Sequence, residues 1–284
     1  MDFRYKADLL FLLPMQEIKQ IGDTGWTYAD IRDSIPQFLE ILKNKPIGNN
    51  AGGMKTPHLF ATWYMLRKLN PKNVIESGVW KGQGTWLIEQ ALPGANIYSI
   101  DIRLDLREYQ SEKVHYFNQD FSTIDWSVIQ DKKNTVLFFD DHQNALDRVI
   151  KGKAFGFKQF IFEDNYPASQ GDCYSLKKAF QHAGFKPKTP RGRLTTLLKS
   201  LLFKQDSGTI HPNSQDSEYL EKNLDVYLEF PPVFRSDITR WGDAWNEENY
   251  PTPEPLYTDT DLKHLAQFKE DLLSYTWICY ARIR

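Results

Sequence analysis

The sequence predicts an α/β protein with a doubly wound, mostly parallel sheet of seven strands. A glycine-rich turn joins a strand to a helix at residues 73–92, and later apolar strands at 135–139 and 157–162 end in acidic residues. Strands that alternate with helices form parallel sheets, because each crossover brings the chain back in the same direction. The length of 284 residues, with 41% hydrophobic residues, is sufficient for one large domain with additions.

The first strand and turn, N-V-I-E-S-G-V-W-K-G-Q-G-T at 73–85, are typical of a nucleotide-binding crevice. Glycines let the backbone approach a ligand closely, and the helix that follows offers free N–H groups. The spacing differs from the dinucleotide pattern G-x-G-x-x-G, and a glycine-rich turn of an ordinary α/β protein is the alternative interpretation. The candidate cofactor-binding residues of this segment are Glu76, Gly78, Gly82, Gly84 and Thr85.

The second strand, N-I-Y-S-I, leads into Asp101. An acid at the end of the second strand, about 20 residues beyond a glycine loop, is suited to hydrogen bonds with ribose hydroxyls. Both NAD and S-adenosylmethionine carry such hydroxyls, so Asp101 indicates a nucleotide cofactor without choosing between them. A third strand, V-H-Y-F at 114–117, ends shortly before Asp120, for which a helical N-cap is one interpretation.

Acidic clusters follow the fourth and fifth strands. They are Asp140–Asp141–His142 and Glu163–Asp164. Parallel strands place their carboxyl ends at one edge of the sheet, where ligands bind. Carboxylates brought together in this way repel one another unless a cation or a proton intervenes, and oxygen ligands suit Mg²⁺, Mn²⁺ or Ca²⁺. The alternative is that Asp141 caps the next helix and Asp164 pairs with a lysine.

These segments together resemble the class I S-adenosylmethionine-dependent methyltransferases, in particular the branch of macrocin and sugar O-methyltransferases and cephalosporin-hydroxylase-like proteins. The likeness covers about residues 50–185 and rests on V-I-E-S-G-V-W-K-G-Q-G-T, I-D-I, F-F-D-D-H and F-I-F-E-D-N-Y. It implies a Rossmann-like methyltransferase fold whose last two strands form an antiparallel hairpin. It also implies S-adenosylmethionine as cofactor and Mg²⁺ as the ion that orients sugar hydroxyls.

The resemblance assigns roles residue by residue. Asp140, Glu163 and Asp164 would hold the metal, although the branch writes its strand-four motif D-G-D or D-G-x-H, so Asp141 is an alternative ligand to Asp140. His142 would be the base that deprotonates the acceptor hydroxyl, since an unperturbed imidazole titrates near neutral pH. Asp141 and His142 are accordingly the catalytic candidates. Asp120 would face the adenine of the cofactor.

Outside this core, residues 1–50 are predicted to be a helical N-terminal extension, and residues 51–284 a methyltransferase-like domain with an insertion at about 186–260. Ile31, Ile35, Phe38 and Leu42 recur at helical spacing, and Pro36 predicts that the helix starts or kinks there. Packing is the favoured role of the extension; docking of a second copy, giving a homo-oligomer, is the other. The loop at 50–54 is a candidate lid or substrate wall, with a flexible linker as the alternative. The basic segment 191–204 is predicted to be a packed amphipathic helix, with contact to a phosphate-bearing substrate or a membrane surface as the alternative.

Composition narrows the range of partners. A formal net charge of −2 makes a nucleic-acid partner unexpected. Two cysteines are too few for a disulfide framework. No apolar run approaches the roughly 20 residues that a membrane span requires, so we expect a cytoplasmic protein without integral membrane association.

The sequence therefore predicts an S-adenosylmethionine-dependent, Mg²⁺-assisted O-methyltransferase that acts on a hydroxyl of a sugar or another small molecule. Two alternatives come from other classes of protein. An NAD-dependent oxidoreductase shares the glycine loop and Asp101 but has no use for the acidic clusters. A protein of this fold with other chemistry, or with a binding role, would share all of these features.

Overall fold

A seven-stranded sheet forms the centre of the molecule in the computed structural model, which describes residues 18–186, 209–259 and 262–284. The strands are β1 (Asn73–Ser77), β2 (Asn96–Ile100), β3 (Val114–Phe117), β4 (Thr135–Phe139), β5 (Gln159–Phe162), β6 (Leu224–Glu229) and β7 (Cys279–Ile283). Their order is β3-β2-β1-β4-β5-β7-β6. All neighbouring pairs from β3 to β5 are parallel, whereas β7 is antiparallel to both β5 and β6. The predicted α/β fold class is confirmed.

Helices cover both faces of this sheet. They are α1 (Tyr28–Leu42), α2 (Thr56–Leu69), α3 (Gln83–Ala91), α4 (Ala145–Ala154), α5 (Leu176–Phe180), α6 (Gln215–Asn223) and α7 (Ala266–Glu270). Within β1 the neighbours Val74 and Ile75 are both fully buried, but in different hydrophobic clusters. Successive side chains of a strand point to opposite faces, so the first cluster packs under α1–α3 and the second under α4–α6.

The reversed strand β7 brings the C-terminal part of the chain next to the end of β5. Phe162 pairs with Cys279, so Thr276, which lies just before β7, is close to the residues that follow β5. The backbone N–H of Asn165 donates to the carbonyl oxygen of Thr276 at 3.2 Å. The last two strands of the sheet therefore contribute to the site edge as well as to the core.

The structure decides one local alternative. Helix α1 starts at Tyr28, with Thr27 and Asp30 forming a capping box, and continues through Pro36, so the alternative of a start at Pro36 is wrong. Near the C-terminus, α7 is flanked by two short 3₁₀ turns.

The basic segment 191–204 lies outside the described residues, and so do residues 1–17 of the predicted extension. In the described ranges, no helix combines the length and the apolar character that crossing a membrane requires.

Candidate active site

A cavity of about 250 Å³ lies at the carboxyl edge of the parallel strands. Its walls come from the glycine loop, from the ends of β2 and β3, and from the loop after β4. Its lining includes the polar or glycine residues Gly78, Asp101, Asp120, Asp140, His142 and Arg148. In doubly wound sheets this edge is where ligands bind. The cavity therefore joins the predicted cofactor residues to the predicted catalytic ones.

The glycine loop after β1 is packed too tightly for side chains. Gly78 has φ of +99°, and a Cβ there would lie 2.1 Å from the carbonyl oxygen of Asp140. Gly82 has φ of +93°, and its Cβ would lie 2.5 Å from the carbonyl oxygen of Tyr109. Both positions need glycine for conformation and for space. The loop thus passes directly under the end of β4 and leaves its backbone open to the cavity.

Glu76 lies beneath this loop and does not line the cavity. Its Oε2 accepts hydrogen bonds from the hydroxyls of Thr85 and Ser99, both at 2.6 Å. Its Oε1 has no hydrogen-bond partner among the described residues and lies against Gly84, where a Cβ would come within 2.4 Å. Burial raises the pKa of Glu76 to about 7. The described contacts of Glu76, Gly84 and Thr85 thus link β1, β2 and α3 under the loop.

Asp101 holds the loop from the side of β2. Its Oδ2 accepts the backbone N–H groups of Val79 and Trp80 at 2.9 and 3.0 Å, and its Oδ1 accepts that of Arg103 at 2.8 Å. Trp80 in turn donates its indole N–H to the carbonyl oxygen of Ala51 at 3.0 Å. Gly52 and Gly53 line the cavity beside it. The loop at 50–54, a candidate lid or substrate wall, therefore contributes Gly52 and Gly53 to the cavity wall.

A buried arginine that the sequence interpretation missed connects the two ends of the cavity. Arg148 of α4 is 1% exposed and donates to both oxygens of Asp120, at 3.2 and 2.8 Å. It also donates to Asp141 at 2.7 Å. Asp120 caps the 3₁₀ turn that begins at Phe121, so the N-cap interpretation is confirmed while the residue also faces the cavity. Burial raises the pKa of Asp120, but the hydrogen bonds and the charge of Arg148 lower it by more. The pKa of Asp120 is therefore about 2.

Asp141 is enclosed by hydrogen-bond donors. Besides Arg148, the hydroxyl of Ser77 donates to it at 2.7 Å and the N–H of Gln143 at 3.1 Å. The N-cap of α4 is Asn144, so the alternative that Asp141 caps this helix is wrong. Asp141 therefore holds the loop after β4 in place against β1 and α4, and His142 follows it in a left-handed conformation with φ of +51°.

Asp140, His142 and Asp164 form the group that is suited to a cation. Each offers one ligand atom, and these atoms all lie within 4.8 Å of one another. His142 Nδ1 lies 2.9 Å from Asp164 Oδ2 and 3.0 Å from Asp172 Oδ1, and its hydrogen bond goes to Asp172. The buried carboxylate of Asp164 thus accepts no regular hydrogen bond from the described residues. Its partner is a histidine, so the alternative of a lysine pair is wrong.

The electrostatics of this group reflect crowding. The charge of Asp164 raises the pKa of His142 well above its usual value. Burial, and then the charges of Glu163 and Asp164, raise the pKa of Asp140 well above its usual value. Buried acids without donors are unfavourable unless a cation compensates them. The two carboxylates are ligands that suit Mg²⁺ or Mn²⁺, whereas an imidazole suits Zn²⁺ or Fe²⁺ better.

Glu163, beside this group, contacts α2. Its Oε1 accepts a hydrogen bond from Nδ1 of His58 at 2.5 Å. The backbone N–H of Thr276 donates to Nε2 of His58 at 2.9 Å, which fixes the proton of the neutral ring on Nδ1. Burial lowers the pKa of His58 to about 3, so the ring is neutral. Of the three predicted metal ligands, Asp140 and Asp164 come together, and His142 stands where Glu163 was expected.

Solved structures that match this chain include several methyltransferases. CmcI (the apo structure of CmcI-N160) is 19% identical with a TM-score of 0.32, and the match covers 42% of this chain and 57% of CmcI. A methyltransferase from Geobacter sulfurreducens is 15% identical with a TM-score of 0.31, covering 46% and 71%. The N-terminal domain of EvdMO1, solved with SAH and D-fucose, is 15% identical with a TM-score of 0.34, covering 49% and 66%.

The chain spans little more than half the length of CmcI. No family model matches the sequence, and no curated protein matches it.

The sheet order decides the fold. Dinucleotide-binding domains have the order 3-2-1-4-5-6, whereas here the antiparallel β7 lies between β5 and β6. This is the sheet of a Rossmann-like methyltransferase fold, with the antiparallel hairpin of the last two strands that the resemblance implies. The cephalosporin-hydroxylase-like branch stays a prediction.

Two residues of this methyltransferase fold were not found from the sequence. Arg148 stands in A-L-D-R-V-I-K-G-K, which reads as an ordinary amphipathic helix, and only its place among apolar positions signals burial. His58 stands in the apolar segment H-L-F-A-T-W-Y-M, where a histidine implies a specific hydrogen-bond partner. Which acids they contact depends on the packing of distant segments.

Proposed function

We propose that this protein is an S-adenosylmethionine-dependent, Mg²⁺-assisted O-methyltransferase that acts on a hydroxyl of a sugar or another small molecule. The observation that carries the proposal is one cavity that joins Gly78 and Asp101 to Asp140 and His142. A cofactor at one end of such a cavity and an acceptor at the other would meet in line, and alignment of this kind can lower a barrier by about 7–11 kcal/mol.

At the first end, the proposed role of Gly78 is to let the backbone pass close to the cofactor. Asp101 uses its remaining lone pairs to accept the ribose hydroxyls, while its bonds to the loop amides fix its position. Asp120, held by Arg148, faces the adenine. Gly82 supports the loop, as do the residues beneath it. When bound, the cofactor supplies a methyl group activated by a positively charged sulfur.

At the other end, His142 is the proposed base. Its Nδ1 faces Asp164 and Asp172, which leaves Nε2 without a hydrogen bond to any described residue and available to the acceptor hydroxyl. Asp164 favours the protonated imidazole, so the neutral form that a base requires depends on compensation of that acid. Asp141 contributes by holding the loop of His142 rather than by taking the proton itself.

The metal proposal rests on Asp140, His142 and Asp164, whose possible ligand atoms lie within 4.8 Å of one another. Asp140 and Asp164 would hold the ion and His142 would border it, whereas Glu163 is engaged by His58. When bound, Mg²⁺ supplies positive charge that compensates the acids and lowers the pKa of the acceptor hydroxyl.

The proposal is tested by thermal unfolding with two ligands. At about 100 times its dissociation constant, S-adenosylhomocysteine should raise the unfolding free energy by about 2.7 kcal/mol, a shift of roughly 5–10 °C, and NAD should produce no shift. The Asp101→Ala variant should lose most of this shift. A shift with NAD alone would favour an oxidoreductase, and no shift with either would favour a protein of this fold with other chemistry.

A further inference from the structure

A hairpin turn at residues 237–245 packs against the loop that follows β5. The N–H of Trp245 donates to the carbonyl oxygen of Asp237 at 2.9 Å, and that of Thr239 to Asp243 at 2.8 Å. Gly242, with φ of +86°, donates its N–H to Thr239 at 2.9 Å and closes the turn. The two central residues of the turn are Arg240 and Trp241, and both are exposed.

This turn is fixed to the loop that follows β5. The buried side chain of Gln170 donates to Asp243 at 2.5 Å and to the hydroxyl of Tyr250 at 3.1 Å. The ring of Trp241 meets that of Tyr166 edge to face, with centroids 4.9 Å apart. Tyr166 follows Asp164 by two residues in the loop after β5. Trp241 therefore contacts, through Tyr166, the loop that carries Asp164.

Trp241 is an open platform. Its side chain is 45% exposed although one edge packs on Tyr166. Aromatic faces bind the apolar face of a ring while leaving hydroxyls to polar partners. A ligand stacked on Trp241 would extend towards Asp164, whose buried carboxylate has no hydrogen bond from the described residues.

Arg240 provides the charge beside this platform. Its guanidinium carbon lies 5.7 Å from the ring centroid of Trp241, and no described residue forms a hydrogen bond or ion pair with it. By contrast, Arg235 at the base of the same lobe is paired with Glu247 at 2.7 Å.

We propose that Arg240 and Trp241 form an acceptor subsite that binds an anionic group, so that the acceptor is a polyhydroxylated ring carrying a carboxylate or a phosphate. The inference rests on the proposed methyltransferase function and specifies its substrate class. The direction follows from Arg240, whose guanidinium would pair with the anionic group and leave the other end of the ring to the metal site. The hydroxyl end of the acceptor is then the end that reaches His142.

The test is isothermal titration of the whole protein, with S-adenosylhomocysteine and Mg²⁺ present. The probes are glucuronate and glucose 6-phosphate, each compared with glucose. At least one acid should bind roughly tenfold more tightly than glucose, as expected for a charge-assisted contact. Binding of glucuronate alone would identify a carboxylate and binding of glucose 6-phosphate alone a phosphate.

Variants assign the effect to the turn. Arg240→Met should abolish the preference for the acid, and Arg240→Lys should retain most of it. Trp241→Ala should weaken acids and glucose alike. The matched control is Arg67→Met, because Arg67 is also exposed over a tryptophan, 5.8 Å from the ring of Trp63, but lies on the far end of α2. That variant should bind all probes as the wild type does.

Three results would overturn the inference: no probe binds, glucose binds as tightly as both acids, or Arg240→Met keeps the preference. The affinity for S-adenosylhomocysteine, measured in the same titrations, separates the two proposals. If it is normal while Arg240 makes no difference, only the subsite is wrong. If it is absent while the acid preference depends on Arg240, the subsite stands and the methyltransferase proposal is wrong.

Discussion

The two ends of the cavity differ in how their acids are satisfied. At the cofactor end, Asp101 accepts three backbone N–H groups and Asp120 is held by Arg148. At the acceptor end, Asp164 accepts no regular hydrogen bond from the described residues, and Asp140 has its pKa raised by neighbouring acids. The acids of the first end are thus paired with donors, whereas at the second end burial and the neighbouring acids disfavour the charged form of Asp140, which a cation would stabilise.

Loss of Arg148 should destabilise the proposed cofactor end more than the other substitutions below. Arg148→Met would leave the half-buried Asp120 and Asp141 without their shared cation; since loss of one partner of a fully buried pair costs about 3–5 kcal/mol, the unfolding free energy should fall by up to about that amount. Arg148→Lys, which keeps the charge but not the two-pronged geometry, should lose less. Urea unfolding of both variants measures the difference. Equal stability of Arg148→Met and wild type would contradict the account of the cofactor end.

Glu76 predicts a pH dependence at the cofactor end. Its folded pKa of about 7 lies above the ordinary value of 4.5, so its contribution to stability is full below pH 4.5 and is lost as the pH rises towards 7. The loss amounts to about 3 kcal/mol, and Glu76→Gln should remove it. Unfolding free energies of both proteins between pH 4.5 and 8 provide the measurement. Parallel curves would show that Glu76 does not titrate in this range.

Gly78 tests the close approach of the loop. In Gly78→Val, the side chain would sit at a φ of +99° with its Cβ 2.1 Å from the carbonyl oxygen of Asp140. The variant should lose about 1–3 kcal/mol of unfolding free energy and should not bind S-adenosylhomocysteine. The control is Gly94→Ala, where a Cβ meets nothing within 4 Å, and its stability should stay within about 0.5 kcal/mol of wild type. Retained binding in Gly78→Val would show that the loop is only a turn.

Asp164 and Glu163 should contribute unequally to metal binding at the proposed acceptor end. Asp164→Asn should weaken Mn²⁺ binding by at least about tenfold, while Glu163→Gln, whose carboxylate faces His58, should have a smaller effect. Binding of S-adenosylhomocysteine should be unchanged in Asp164→Asn, because Asp164 lies outside the cofactor end. Titration with Mn²⁺ followed by electron paramagnetic resonance distinguishes the two variants. A larger loss in Glu163→Gln would restore the ligand set implied by the family resemblance.

The sequence predicted the fold and the edge of the sheet better than it predicted the contacts at that edge. Apolar runs that end in acids, such as the one before Asp140, identify both a buried parallel strand and the polar group at its end. The partner that each acid finds is a tertiary property. Glu163 meets His58 only because β7 brings Thr276 to the end of β5, and Asp120 meets Arg148 only because α4 packs under β3 and β4. Neither contact has a local signal.

We propose that a methyl donor and a metal-bound acceptor site share one cavity. The distance between the two can be probed by nuclear magnetic resonance of S-adenosylmethionine labelled with ¹³C in its methyl group, bound to the protein and titrated with Mn²⁺. If both sites share the cavity, the methyl signal should broaden strongly, and Asp164→Asn should prevent this broadening. A methyl signal that stays sharp while both cofactor and Mn²⁺ are bound would contradict it.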